Sequence, residues 1–129
     1  MISASVRIAA PPEVVFPYFT DPALIVTWIG ERAELAARAG GTFAVDFGSV
    51  AARGTYVVVD PPHRVVFSWG IPGDDTLPPG SSTVEVVLVA DGDDTIVDLT
   101  HRDLPPDREP AHLEGWERCL AALLDSVRP

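Results

Sequence analysis

Lysine is absent from all 129 residues, so the nine basic side chains are all arginine and no lysine Schiff base can form. Against 19 acids they leave a formal net charge of −10. With no basic stripe to neutralise a phosphate backbone, neither nucleic acid nor an anionic membrane is an expected partner. Cysteine is almost as scarce. Cys119 stands alone, so no intramolecular disulfide can form and the cysteine count gives no sign of an oxidising compartment. No uncharged apolar run reaches the length of a membrane span. Met1-Ile2-Ser3-Ala4-Ser5 lacks the basic-then-apolar pattern of a signal peptide, so a cytoplasmic location is the expectation. Soft and imidazole metal ligands are limited to His63, His101, His112 and Cys119. His112 and Cys119 are about 10 Å apart along a helix, too far to share one ion. Asp91-Gly92-Asp93-Asp94 lacks the spaced oxygens and distal Glu of a calcium loop. No Gly-rich phosphate loop, Gly-x-Ser-x-Gly elbow or cysteine nucleophile motif is present, and Cys119 reads as inert. No metal and no cofactor is expected.

What the chain does contain is apolar surface, 47% of its residues, enough to fill a core and line a cavity within one domain spanning 1–129. Its prolines mark where the hydrophobic period changes. Ile2 to Ala9 reads as a strand. Pro12 opens a short helix, with Glu13 near its positive end and Pro17 set to kink or shorten it. Asp21-Pro22 starts a second short helix that carries Leu24, Ile25 and Trp28 and ends at Gly30. The period then switches to two. Phe43, Val45 and Phe47 share one strand face, Gly54 to Val59 forms the next strand, and His63, Val65, Phe67 and Trp69 align on a third. Gly70 to Ser82 is a loop; Val84, Val86 and Leu88 resume the alternation; Asp91-Gly92-Asp93 turns the chain; Thr95, Val97, Leu99 and His101 return. After Pro105-Pro106, Asp107 is a candidate N-cap. Leu113, Trp116, Leu120, Leu123 and Val127 then follow helical spacing over about 20 residues, or about 30 Å. The order predicts an α+β helix-grip fold: a curved antiparallel sheet of about six to seven strands wrapped around a long C-terminal helix.

The motifs along the chain are Ala10-Pro11-Pro12-Glu13-Val14-Val15-Phe16, Thr20-Asp21-Pro22 with Trp28, and Gly40-Gly41-Thr42-Phe43. Val59-Asp60-Pro61-Pro62-His63-Arg64-Val65-Val66-Phe67-Ser68-Trp69, Leu99-Thr100-His101 and Gly115-Trp116 continue them. In this order the sequence resembles the family named after the activator of Hsp90 ATPase, within the superfamily of START domains, birch-pollen-allergen-like proteins and polyketide cyclases. The resemblance implies a helix-grip scaffold built around a cavity, and a scaffold alone fixes no reaction. The sequence departs from the pattern at Pro17 and in the proline-rich Asp74 to Pro79 loop, which is set to reshape one cavity entrance. The co-chaperones that gave the family its name carry an additional N-terminal domain that these residues do not include.

Strand parity places Phe43, Phe47, Phe67, Trp69, Val86, Leu99 and His101 on the concave face, opposite His112, Trp116 and Leu120 on the last helix. These ten residues are the candidate lining of a site for a small apolar ligand, with the aromatics also open to a plain core role. His101 is the candidate catalytic residue, as an orienting group or proton carrier. The alternative is a strand-end histidine bonded to backbone and partly solvated. Asp98 turns to the opposite face and cannot assist it. Gly115 costs about 1 kcal/mol inside a helix relative to alanine. Either the helix packs closely on the sheet there, or the missing side chain leaves space for a ligand. Three functions remain open. The first is binding of a small apolar or aromatic molecule. The second is a cyclase-, aromatase- or hydrolase-type enzyme using the same cavity. The third is an interaction module, as a chaperone cofactor or homodimer.

Overall fold

A computed structural model describes residues 1–127. Seven strands form one antiparallel sheet: β1 (Ile2–Ile8), β2 (Arg32–Leu35), β3 (Thr42–Phe47), β4 (Val50–Asp60), β5 (Arg64–Trp69), β6 (Ser82–Asp91) and β7 (Asp94–Arg102). Their order across the sheet is β1-β7-β6-β5-β4-β3-β2. From β2 to β7 each strand pairs with its successor, while β1 joins the far edge through Ile2 opposite His101 and Ile8 opposite Thr95. One helix, α3 (Glu109–Ser126), lies against the concave face, and two single-turn helices, α1 (Pro12–Val15) and α2 (Pro22–Ile25), follow β1. This is the helix-grip architecture.

The local chemistry accounts for most boundaries. Pro12 sits in the first turn of α1, where its missing N–H costs nothing. Pro17 then converts the continuation into a 3-10 turn over Phe16–Phe19. The Asp21 carboxylate caps α2 by accepting from Ala23 N at 2.8 Å. Gly30 takes φ +77°, and a side chain there would meet Val45 Cγ1 at 2.4 Å, so the turn into β2 requires glycine. Strand β2 was not anticipated; four residues are too few for alternation to show. Strand β4 starts at Val50, before Gly54, and a bulge at Val57 turns both Tyr56 and Val59 inward while bending the sheet. His63 lies in the turn before β5 rather than in the strand. Asp107 does not cap α3: it lies inside a 3-10 turn, Pro106–Arg108, and Arg108 is the N-cap, with no side-chain hydrogen bond.

The core is aromatic. Phe43 and Phe67 stack at 4.0 Å with a 13° interplanar angle, and Tyr56 meets both edge-on at 5.7 and 6.2 Å. Tyr56 is buried to 1% exposure, yet its hydroxyl donates to the Phe19 carbonyl at 2.8 Å. Burial raises its pKa far above the ordinary phenol range. Trp28 donates from Nε1 to the Tyr18 carbonyl and packs edge-on against Phe19 at 5.0 Å. The α1–α2 segment is therefore tied to the sheet by both ring packing and hydrogen bonds. Helix α3 turns Trp116, Leu120 and Leu123 onto the core, with its backbone closest to β1.

Candidate functional site

Because α3 rests on one edge of the sheet, its N-terminal half is separated from β3 and β5 by side chains and by open space. That space is a cavity of about 280 Å³. Phe47 of β3, Trp69 of β5 and Ile29, from the segment after α2, form one side. Helix α3 forms the other with Ala111, His112, Gly115, Trp116, Arg118 and Cys119. These positions recur at three- and four-residue spacing, so a single helix face looks into the cavity. The lining is predominantly apolar. Arg118 is largely exposed and marks the rim, where it pairs with Glu114 one turn back at 3.0 Å.

Gly115 loses one of its two sequence readings. A Cβ at that position would meet nothing within 4 Å, so close approach of helix to sheet is not the reason for glycine. Its missing side chain leaves the cavity wall bare beside Trp116.

Behind the wall is a closed hydrogen-bond chain. Trp116 donates from Nε1 to His101 Nδ1 at 3.0 Å, which makes Nδ1 the acceptor and places the ring proton on Nε2. His101 Nε2 then donates to Ser82 Oγ at 2.8 Å, and Ser82 donates to the Trp69 carbonyl at 2.8 Å. Helix α3 and strands β7, β6 and β5 are linked through three side chains, each buried. His101 is fully buried (0% exposed). Burial first, then the neighbouring His112 and the N-terminal amine, pull its pKa down to about 3, so the ring is neutral at pH 7. With both nitrogens engaged, it has no lone pair to take a substrate proton. The expectation of a partly solvated strand-end histidine bonded to backbone is corrected: the ring is fully buried and bonded to two side chains. Ser82 lies at the end of a loop in the sequence, and the indole donor of Trp116, expected to be open to a ligand, goes to His101 instead.

Trp116→Phe is expected to cost about 1–3 kcal/mol, because it keeps the ring but strands a buried acceptor on His101. Urea unfolding measures this, and a loss below half a kcal/mol would mean that the chain of bonds contributes little.

His112 differs from His101. Its Nδ1 lies 3.0 Å from the Arg108 carbonyl, which can only accept, so Nδ1 carries the proton and Nε2 is left as an unpaired acceptor. The ring is half-buried in the cavity wall, and burial is the main cause holding its pKa below the ordinary value. Arg108 is itself fixed by the Asp74 carboxylate, which also accepts from Thr76 and Leu77 N. That contact with Arg108 is the main cause lowering the Asp74 pKa to about 2. The proline-rich loop is thus tied to the start of α3, with Leu77 fully buried beneath it. Trp69 carries the remaining polar atom. Its Nε1 is buried and has no hydrogen-bond partner among the described residues.

Of the ten residues expected to line a site, the structure brings Phe47, Trp69, His112 and Trp116 to the cavity. The other six do not reach it. Phe43, Phe67, Val86, Leu99 and Leu120 are closed into the packed core, and His101 is closed into its hydrogen-bond chain. Alternation assigned the correct face, but packing density rather than parity decides which part of a face stays open. Ile29, Ala111, Arg118 and Cys119 were missed; the three on α3 share the Gly115-Trp116 face, and helical spacing could have found them. Burial raises the Cys119 thiol pKa, which works against a reactive thiolate. Among the described residues no group of three or more His, Cys, Asp or Glu side chains could hold a metal ion, and no helix is long and apolar enough to cross a membrane.

Comparisons with known proteins agree with this architecture. A profile of the family described as "Activator of Hsp90 ATPase homolog 1-like protein" matches residues 9–127. An AHSA1-like protein of Rhizobium etli is 41% identical; the match covers 95% of this chain and 81% of that one, with a TM-score of 0.69. CalU16 of Micromonospora echinospora is 29% identical, covering 98% and 75%, with a TM-score of 0.82. The Aha1 dimer of Colwellia psychrerythraea shares the fold at 18% identity, covering 98% and 96%, with a TM-score of 0.83. Curated proteins give no significant match. The chain belongs to the activator of Hsp90 ATPase homolog 1-like family.

Proposed function

We propose that this protein binds a small apolar or aromatic molecule in the cavity between the sheet and the N-terminal half of α3. The observation that carries the reading is the bare wall at Gly115, where a side chain would meet nothing within 4 Å. Glycine in a helix interior lowers stability by about 1 kcal/mol relative to alanine, and no packing contact here repays that loss. A volume of about 280 Å³ is near the lower end for small-molecule sites, which favours a ligand of one or two rings. Phe47, Trp69 and Trp116 supply flat apolar faces for it.

Gly115→Leu tests this. The substitution is expected to leave stability unchanged or raised by up to about 1 kcal/mol, since leucine is the better helix former and the space is free. It is expected to abolish the thermal shift given by small aromatic compounds in the unaltered protein. A ligand at a hundred times its dissociation constant adds about 2.7 kcal/mol, several degrees in a domain this size. Mass spectrometry of an organic extract would identify any molecule that co-purifies. If the variant binds as well as the original, the cavity is not the site.

A cyclase- or hydrolase-type reaction through His101 finds no support in the geometry, since both ring nitrogens are already bonded.

A further inference from the structure

We propose that Ser82 and His101 hold the cavity open, by pinning the Trp116 indole away from the bare wall at Gly115. They are positioning residues, acting on a ligand only through the Trp116 ring. Their effect on affinity rests on the binding reading above.

An apolar cavity beside a large side chain tends to close. Protein interiors pack densely, and atoms lining a gap forgo dispersion contacts on one side. Trp116 and Gly115 are neighbours in the cavity lining, and a side chain at Gly115 would meet nothing within 4 Å. Turning the indole toward that space would bring the ring new contacts and shrink the cavity. What opposes the turn is polar. The indole Nε1–H donates to His101 Nδ1 at 3.0 Å, and His101 is 0% exposed. If the ring swung away, Nδ1 would be a buried acceptor stranded with its full desolvation cost.

Ser82 makes that acceptor dependable. A neutral imidazole has two tautomers, and Nδ1 accepts only when the proton sits on Nε2. Ser82 Oγ lies 2.8 Å from Nε2 and spends its own hydrogen on the Trp69 carbonyl, also at 2.8 Å. Toward the imidazole the hydroxyl can therefore only accept, which holds the ring proton on Nε2. Ser82 is 0% exposed as well, so no solvent competes for these bonds. The Trp69 carbonyl belongs to β5, whose Trp69 side chain lines the cavity opposite α3. The chain of bonds thus runs from one wall of the cavity to the other and fixes the distance between them.

NMR titration with benzene, indole and naphthalene tests this on the unaltered protein, His101→Leu, Ser82→Ala and Thr95→Val. The first substitution removes the acceptor, and the second removes the group that fixes its tautomer. Thr95→Val is the control: it also deletes a buried hydrogen bond, to the Ala10 carbonyl at 2.8 Å, but outside the cavity lining. If the turned ring becomes favoured ten to one, apparent affinity falls about tenfold. A loss of that size is expected in His101→Leu, a smaller one in Ser82→Ala and none in Thr95→Val. His101→Leu should also show new proton contacts between the Trp116 and Phe47 rings, a signature that simple destabilisation does not produce. Undiminished affinity in His101→Leu would overturn the proposal while leaving the cavity reading intact. An equal loss in Thr95→Val would overturn it too, by showing a general loosening. If His101→Leu does not fold, Ser82→Ala decides on the same criteria. If the unaltered protein binds none of the three compounds, the cavity reading fails and the proposal fails with it.

Discussion

Phe67→Ala is expected to cost about 3–5 kcal/mol of folding stability, the range for truncating a fully buried phenylalanine. Phe67 is 2% exposed and lies face to face with Phe43, with the Tyr56 ring against its edge and Trp69 beyond it. Relaxation into the space it vacates is restricted. Strand β5 is paired on both sides, to β4 and β6, so the backbone beneath the void cannot move inward without breaking ladder bonds. The Tyr56 hydroxyl is also anchored to the Phe19 carbonyl, which fixes a second wall. Removal of a ring between fixed walls leaves a cavity, and cavity volume adds to the lost transfer energy. Chemical denaturation measures the change. A loss below about 1.5 kcal/mol would show that the aromatic cluster collapses around the gap, and the cavity beside Trp69 would then be deformable as well.

Acidification gives the second large effect. Folded His101 has a pKa of about 3 against an ordinary value of 6.5. The shift is downward, so below pH 6.5 the unfolded chain takes up a proton that the folded chain refuses until about pH 3. Stability from this residue is fully present above pH 6.5 and is lost at about 1.4 kcal/mol per unit below it. From well above pH 6.5 down to pH 4.5 the expected loss is about 2.7 kcal/mol. His112 is shifted in the same direction and adds to the slope. Urea unfolding across this range checks the slope, and His101→Gln should reduce it to what His112 leaves. An undiminished slope in that variant would remove His101 as the source.

The fold was legible in the sequence because its signals were long. Alternation through Phe43-Val45-Phe47, Val84-Val86-Leu88 and Thr95-Val97-Leu99, then helical spacing from Leu113 to Val127, left few arrangements able to cover one apolar face. Proline positions fixed the joints, and Pro17 shortened α1 as its chemistry requires. Short features were lost: β2 has four residues, and the bulge at Val57 breaks the period on which parity depends. The site was legible only in part. Parity gave Phe43 and Phe47 the same standing, yet one is sealed under Phe67 and the other borders open space. His101 and His112 looked alike as residue types. What separates them is partners from distant segments, Ser82 and Trp116 for one and the Arg108 carbonyl for the other. No local pattern encodes such pairings.

The way the sheet closes also bears on how the chain reaches this state. Strands β2 through β7 can assemble as successive hairpins, each joining near neighbours in sequence. Strand β1 cannot, because its partner is β7 and Ile2 must find His101 across most of the chain. Loop-closure entropy is largest for that step and is met only after the meander exists to receive it. Helix α3 rests chiefly on β1, so its docking waits on the same event. The cavity needs α3 in place, so its walls depend on the most sequence-distant pairing in the sheet.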